Sequence, residues 1–207
     1  MVAGLDRVQH QLKRLGLGVA LVGLAGLIAC GADASARNAE TTIDSIVPRD
    51  VALARFREGT PEVTELTGGA SSRNALVRRF VRALTAGDTA TLSSLTLTRA
   101  EFAWLYYPTT PQGLPPYDLA PGLMWSMLDM NGHRGLSAAL DAYRGRVTRY
   151  VGHSCDTVVS RERANTVYGP CTVRLAVDHD TVQERLFGAI ISRGGRFKFV
   201  SLANKLD

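Results

Sequence analysis

The chain has 207 residues, 45% of them hydrophobic and 21% charged, with a formal net charge of +5. That balance is ordinary for a soluble domain. So mild a basic surplus gives no ground for a nucleic-acid partner, which needs a concentrated basic surface.

In chain order the first signal is a leader. Arg7, Lys13 and Arg14 precede an uncharged run of 15 residues, Leu15–Ala29, which ends at Cys30. Basic, apolar, small residues, then a cleavage point is the layout of a secretory signal. A retained membrane anchor is the rival, but the run is short of the roughly 20 residues a span needs. Gly16, Gly18, Gly23 and Gly26 also weaken it as a helix. The tetrapeptide Leu27-Ile28-Ala29-Cys30 resembles the lipobox of bacterial lipoproteins. The resemblance implies a signal peptide over 1–29 and a diacylated Cys30 as the first mature residue. It places the protein in the cell envelope, lipid-anchored on the periplasmic or outer face of a membrane. Without the leader the net charge is +3, since three bases and one acid are lost.

Residues 31–45 are small and polar without a hydrophobic period, which predicts a tether. Pro48-Arg49-Asp50 then resembles a helix start, ending by Gly59. Gly68-Gly69 and Ser71-Ser72 mark a second connector. The expected organisation is therefore a leader over 1–29, a lipidated cysteine, tether and short helix over 30–70, and one domain over 71–207.

Within that domain Ser72 is an N-cap for a helix over Arg73–Ala86, with Leu76, Val77, Phe80, Val81 and Leu84 forming one buried stripe. Gly87 ends it. Asp88 caps a short second helix, and Thr98-Arg99-Ala100-Glu101 has capping-box spacing for a third, with a strand across Phe102–Tyr107 as the rival reading. Pro108, Pro111, Pro115, Pro116 and Pro121 break regular structure, and loops of that length are functional or mobile. Pro121 opens a further helix, interrupted at Asn131-Gly132 and resumed to Gly145.

After Gly145 the period becomes alternating. Strands are expected near 147–151, 156–160, 166–177, 182–193 and 196–203, with a tight hairpin at Gly194-Gly195. Apolar residues on both faces around Leu186–Ile191 predict a strand covered on both sides. Phe197 and Phe199 should face the helix-packed core, with Lys198 opposite. The fold class is α+β: N-terminal helices on an antiparallel sheet.

Cys30 being assigned to lipid, Cys155 and Cys171 remain, and an exported protein most simply pairs them; buried free thiols are the alternative. A hairpin centred on Arg163 sets Cys155 opposite Cys171 and Val159 opposite Val167. Such a bridge contributes roughly 3 kcal/mol on the chain-entropy model.

Phe80-Val81-Arg82-Ala83-Leu84-Thr85-Ala86-Gly87-Asp88, with Leu92 and Leu95, resembles the opening helices of the nuclear transport factor 2-like superfamily, which includes polyketide cyclase-like proteins. The resemblance implies a curved sheet wrapped into a cone, with a pocket between its concave face and the helices. Catalytic members place an Asp, often with a Tyr or His, inside. No motif here matches those residues.

The densest set of functional side chains is Trp104, Tyr106, Tyr107, Tyr117, Asp118, Trp125, Asp129 and His133. Aromatic walls with carboxylates and a histidine suit a ligand pocket; the same aromatics would equally pin a long loop to the core. Asp129 and His133, four apart, share a helix face if the helix runs through Asn131-Gly132. His153, Cys155 and His179 lack zinc spacing, and no cofactor fingerprint is present. Arg78 and Arg82 share one face of the first strong helix, where they could meet anionic headgroups or simply water. Two readings follow: a lipid-anchored domain binding a small apolar ligand or an envelope protein, or a hydrolase- or isomerase-like enzyme using the same pocket.

Overall fold

A computed structural model describes residues 47–156 and 159–203. The leader, Cys30 and the tether lie outside the described residues.

Helix α1 (Arg49–Arg57) buries Leu53 and Phe56. Helix α2 (Arg73–Ala86) has the expected bounds: the Ser72 hydroxyl accepts from the Ala75 N–H at 3.1 Å, and the stripe Leu76, Val77, Phe80, Val81, Leu84 is buried. Gly87 terminates α2 at φ 70, a left-handed conformation that a side chain would strain. Asp88 accepts from the Thr91 N–H at 2.9 Å and caps α3 (Thr89–Ser94).

The capping box at Thr98 and Glu101 starts α4 (Arg99–Glu101), which runs on into a π-helical turn, Phe102–Tyr106. This decides the helix reading over the strand. Helix α5 (Pro121–Tyr143) is continuous, so the interruption expected at Asn131-Gly132 is absent. Gly132, Leu136, Ala139 and Tyr143 lie on its inward side, and packing along that side carries the helix through a poor local sequence.

Among the described residues seven strands follow: β1 (Val147–Cys155), β2 (Val159–Glu162), β3 (Asn165–Tyr168), β4 (Cys171–Val177), β5 (Asp180–Glu184), β6 (Ile190–Arg193) and β7 (Arg196–Phe199). They form two antiparallel sheets, ordered β1-β4-β5 and β2-β3-β6-β7. The protein is α+β.

Two expected strands are thereby each divided. Residues 166–177 split at Gly169-Pro170, where proline offers no N–H to a ladder. Residues 182–193 split after Glu184, because the chain must leave one sheet and enter the other.

Cys155 lies opposite Cys171 in the β1–β4 register, and the two form a disulfide. The expected Val159–Val167 register is off by one: Val159 pairs with Tyr168. The β6–β7 turn at Gly194-Gly195 has φ 55 and 75, as a tight hairpin requires.

The core has two layers. The first lies between α2 and both sheets and includes Phe80, Leu84, Leu92, Leu175, Phe187, Ile190 and Phe199. The second covers the opposite face of the four-stranded sheet, where Ile191 and Val200 meet Leu53, Phe56, Phe102, Tyr107 and Met124. Strand β6 divides them: Ile190 and Ile191 are both 0% exposed, one in each layer. This is the strand covered on both faces that the sequence predicts.

Phe199 points into the first layer as expected, while Phe197 is only half-buried and stacks on Tyr168. Lys198 takes the opposite face and is itself buried, its Nζ 2.7 Å from Glu101 Oε2. The domain begins before Ser71: Leu53, Phe56, Leu66 and Ala70 are all core residues, so α1 and the segment after it belong to the compact unit.

Candidate functional site

The eight residues singled out in the sequence do not gather in one pocket. Tyr106 and Tyr107 are buried in the second core layer. The Tyr107 hydroxyl donates to the Leu119 carbonyl at 2.7 Å, and the Arg49 guanidinium lies 5.0 Å from its ring centroid. These contacts tie the proline-rich segment to α1 and the core. Trp104 is half-buried beneath the Arg57 guanidinium, 3.9 Å from the ring centroid. Tyr117 and Asp118 stand exposed on the loop. Only Trp125, Asp129 and His133 meet at one concavity.

That concavity, of about 80 Å³, lies between α5 and the segments following α3 and β7. Trp125, Leu128 and Leu136 form one wall; Leu97 and Val200 form the other. Thr96, Ser201, Asp129 and His133 supply a polar rim. Helical spacing puts 125, 128, 129, 132 and 136 on one side of α5, and Gly132 leaves room between the larger residues.

His133 Nδ1 is 2.8 Å from the Asp129 carbonyl oxygen and 3.6 Å from its carboxylate. Both side chains are largely in water, so neither desolvation nor a fixed partner aims this pair at a substrate. An apolar slot of a few water volumes with hydroxyls at its mouth takes the alkyl or ring end of a small molecule. Phe80, Phe187 and Phe199 pack together between α2 and the four-stranded sheet.

A second polar group was not legible in the sequence. Glu162, at the end of β2, is buried; its carboxylate accepts from Ser160 Oγ at 3.0 Å and Thr109 Oγ1 at 3.4 Å. Asn165 Nδ2 donates to the Leu105 carbonyl at 2.7 Å and to Thr109 Oγ1 at 3.0 Å. The cluster fastens the β2–β3 hairpin to the π-helical turn. No local pattern marks it, because its members come from segments more than 50 residues apart.

Burial raises the pKa of Glu162 above its ordinary 4.5, against the lowering effect of the Ser160 and Thr109 hydrogen bonds. Burial likewise raises Tyr106, with the Thr110 hydrogen bond opposing and the Glu162 charge adding. Between pH 4.5 and its raised value, Glu162 holds more proton in the folded than in the unfolded state. Its contribution therefore makes stability fall as pH rises through that window. Glu162→Gln should flatten this part of a plot of unfolding free energy against pH; an unchanged slope would show that the carboxyl is not the group responsible.

Among the described residues, no three His, Cys, Asp or Glu side chains gather to hold a metal ion. Compared with models of known protein families, with curated proteins and with solved structures, the chain matches none.

Proposed function

We propose that the protein is a lipid-anchored component of the bacterial cell envelope whose α+β domain binds the apolar end of a small ligand. The observation that carries the binding role is the slot walled by Trp125, Leu128 and Leu136, open to solvent and rimmed by hydroxyls. Binding is favoured over hydrolase- or isomerase-like catalysis because, among the described residues, no buried acid and second polar group converge on that slot. The anchor is supported by Leu27-Ile28-Ala29-Cys30 at the end of its apolar run. Kinship with the nuclear transport factor 2-like superfamily is part of this reading. It is supported by a long amphipathic helix, a Gly-Asp turn and a short helix ahead of an antiparallel meander.

The two halves of the proposal have separate tests. Cys30→Ala should abolish fatty-acid labelling in cells and leave the precursor uncleaved; labelling that persists in the variant refutes the anchor. For the slot, n-hexanol titrated into the full chain should shift tryptophan emission saturably. Trp125→Phe should remove the response, since the other tryptophan, Trp104, sits elsewhere under Arg57. A response that survives in Trp125→Phe, or none in the parent, refutes the binding reading.

A further inference from the structure

A second concavity, of about 640 Å³, runs between α2 and β1. Val81 and Val147 contribute apolar surface, Tyr150 contributes its ring, and Arg78, Arg82 and Arg149 bring three guanidinium groups from two elements. Among the described residues, no carboxylate lines it.

Several arginines elsewhere in the domain have their guanidinium groups engaged. Arg146 pairs with Asp178 at 2.7 Å, and Arg49, Arg57, Arg79 and Arg99 donate to backbone carbonyls. In the groove, Arg82 and Arg149 make no hydrogen bond or ion pair among the described residues. Arg78 donates only to the Asn74 amide oxygen, at 3.3 Å, while lying 5.3 Å from the Tyr150 ring centroid. Arg78 and Arg82 are also four apart on one helix, a like-charge spacing that opposes the helix unless an anion lies between them.

The Tyr150 hydroxyl is the lining group that could ionise to an anion, and neighbouring His153 can add only positive charge. Burial holds the Tyr150 hydroxyl above its ordinary pKa despite the Arg78 charge. His153, whose Nδ1 is 2.6 Å from that hydroxyl, is held below its ordinary value by burial and then by the Arg73 charge. The concavity is therefore cationic, with unused planar donors, beside an aliphatic and aromatic surface.

We infer that the groove between α2 and β1 is a binding site for a phosphate ester, its phosphate held by Arg78, Arg82 and Arg149 and its organic part lying against Val81, Val147 and Tyr150. Guanidinium forks match phosphate oxygens two at a time, a geometry that lysine does not offer. The volume lies within the range of small-ligand sites. A soluble phosphate ester and an anionic lipid headgroup share this chemistry. The site is separate from the α5 slot and does not depend on it.

The test uses the full chain in an uncharged detergent, titrated by calorimetry with glycerol 3-phosphate and with dihexanoyl-phosphatidylglycerol. Arg82→Gln and Arg149→Gln change exposed side chains and should melt like the parent. Arg134→Gln, on α5 and outside the groove, is the charge control. Saturable binding of at least one probe is expected, weakened about tenfold by each groove variant, left unchanged by the control and reduced by added salt. Binding of glycerol 3-phosphate assigns a soluble ester; binding of the lipid alone assigns a headgroup. No saturable binding of either probe, equal binding by the groove variants, or an equal loss in Arg134→Gln overturns the proposal.

Discussion

Glu101→Ala is expected to lower the unfolding free energy by roughly 3–5 kcal/mol, the cost of stranding one member of a buried ion pair. Lys198 and Glu101 are 2% and 1% exposed at their side chains, and their charged atoms are 2.7 Å apart. Alanine would leave the Lys198 ammonium inside the second core layer without a partner. Three further donors would be orphaned, because the carboxylate also accepts from the Thr67 N–H at 2.7 Å, the Thr67 hydroxyl at 3.2 Å and the Thr98 N–H at 2.8 Å. Glu101 thus joins the start of α4, the segment before α2 and strand β7. Lys198→Met should cost less, since the carboxylate keeps those three donors. Urea unfolding of both variants checks the ranking; a larger loss for Lys198→Met would mean that the charge pair, not the donor set, organises this junction.

Phe199→Ala should also cost roughly 3–5 kcal/mol, the usual range for emptying a buried aromatic site. Phe199 is 0% exposed, with ring centroids 4.4 Å from Phe187 and 5.2 Å from Phe80. It therefore joins α2, the β5–β6 connection and β7. A hole there lies between relatively rigid elements and cannot easily collapse, which puts the variant toward the upper part of that range. Phe197→Ala should lose distinctly less, because Phe197 is only half-buried. Thermal unfolding separates the two: a Phe199→Ala protein that melts like the parent would place this ring outside the core. Near the end of the described residues the chain is packed into the core. Leu202 is 5% exposed and bridges to Phe187, so removing it would empty a core site as well.

The failure of the eight-residue pocket has a physical origin. A concentration of aromatics around prolines signals large apolar area, and that area can be spent on a ligand or on the domain itself. Here the insert after α4 buries Phe102, Tyr106 and Tyr107 against a sheet face that would otherwise be open. The arginine groove is the opposite case. Arg78 and Arg82 on one helix face leave an anion contact and a solvated face equally open, and it is β1 that brings Arg149 and Tyr150 opposite them.

Local chemistry by itself determined the ends of α2, the caps of α3 and α4, the glycine hairpin and the pairing of Cys155 with Cys171. Each depends on residues close in sequence or on a simple count about one turn. Burial on both faces of β6 was also readable, since two consecutive isoleucines must point to opposite sides. Tertiary structure alone decided that α5 runs unbroken through Asn131-Gly132, where packing along one face outweighs a turn signal. It alone decided that the meander divides into two sheets, because neither Gly169-Pro170 nor the break after Glu184 states which partner follows. It also paired Lys198 with Glu101 across 97 residues, giving a buried lysine the carboxylate it needs.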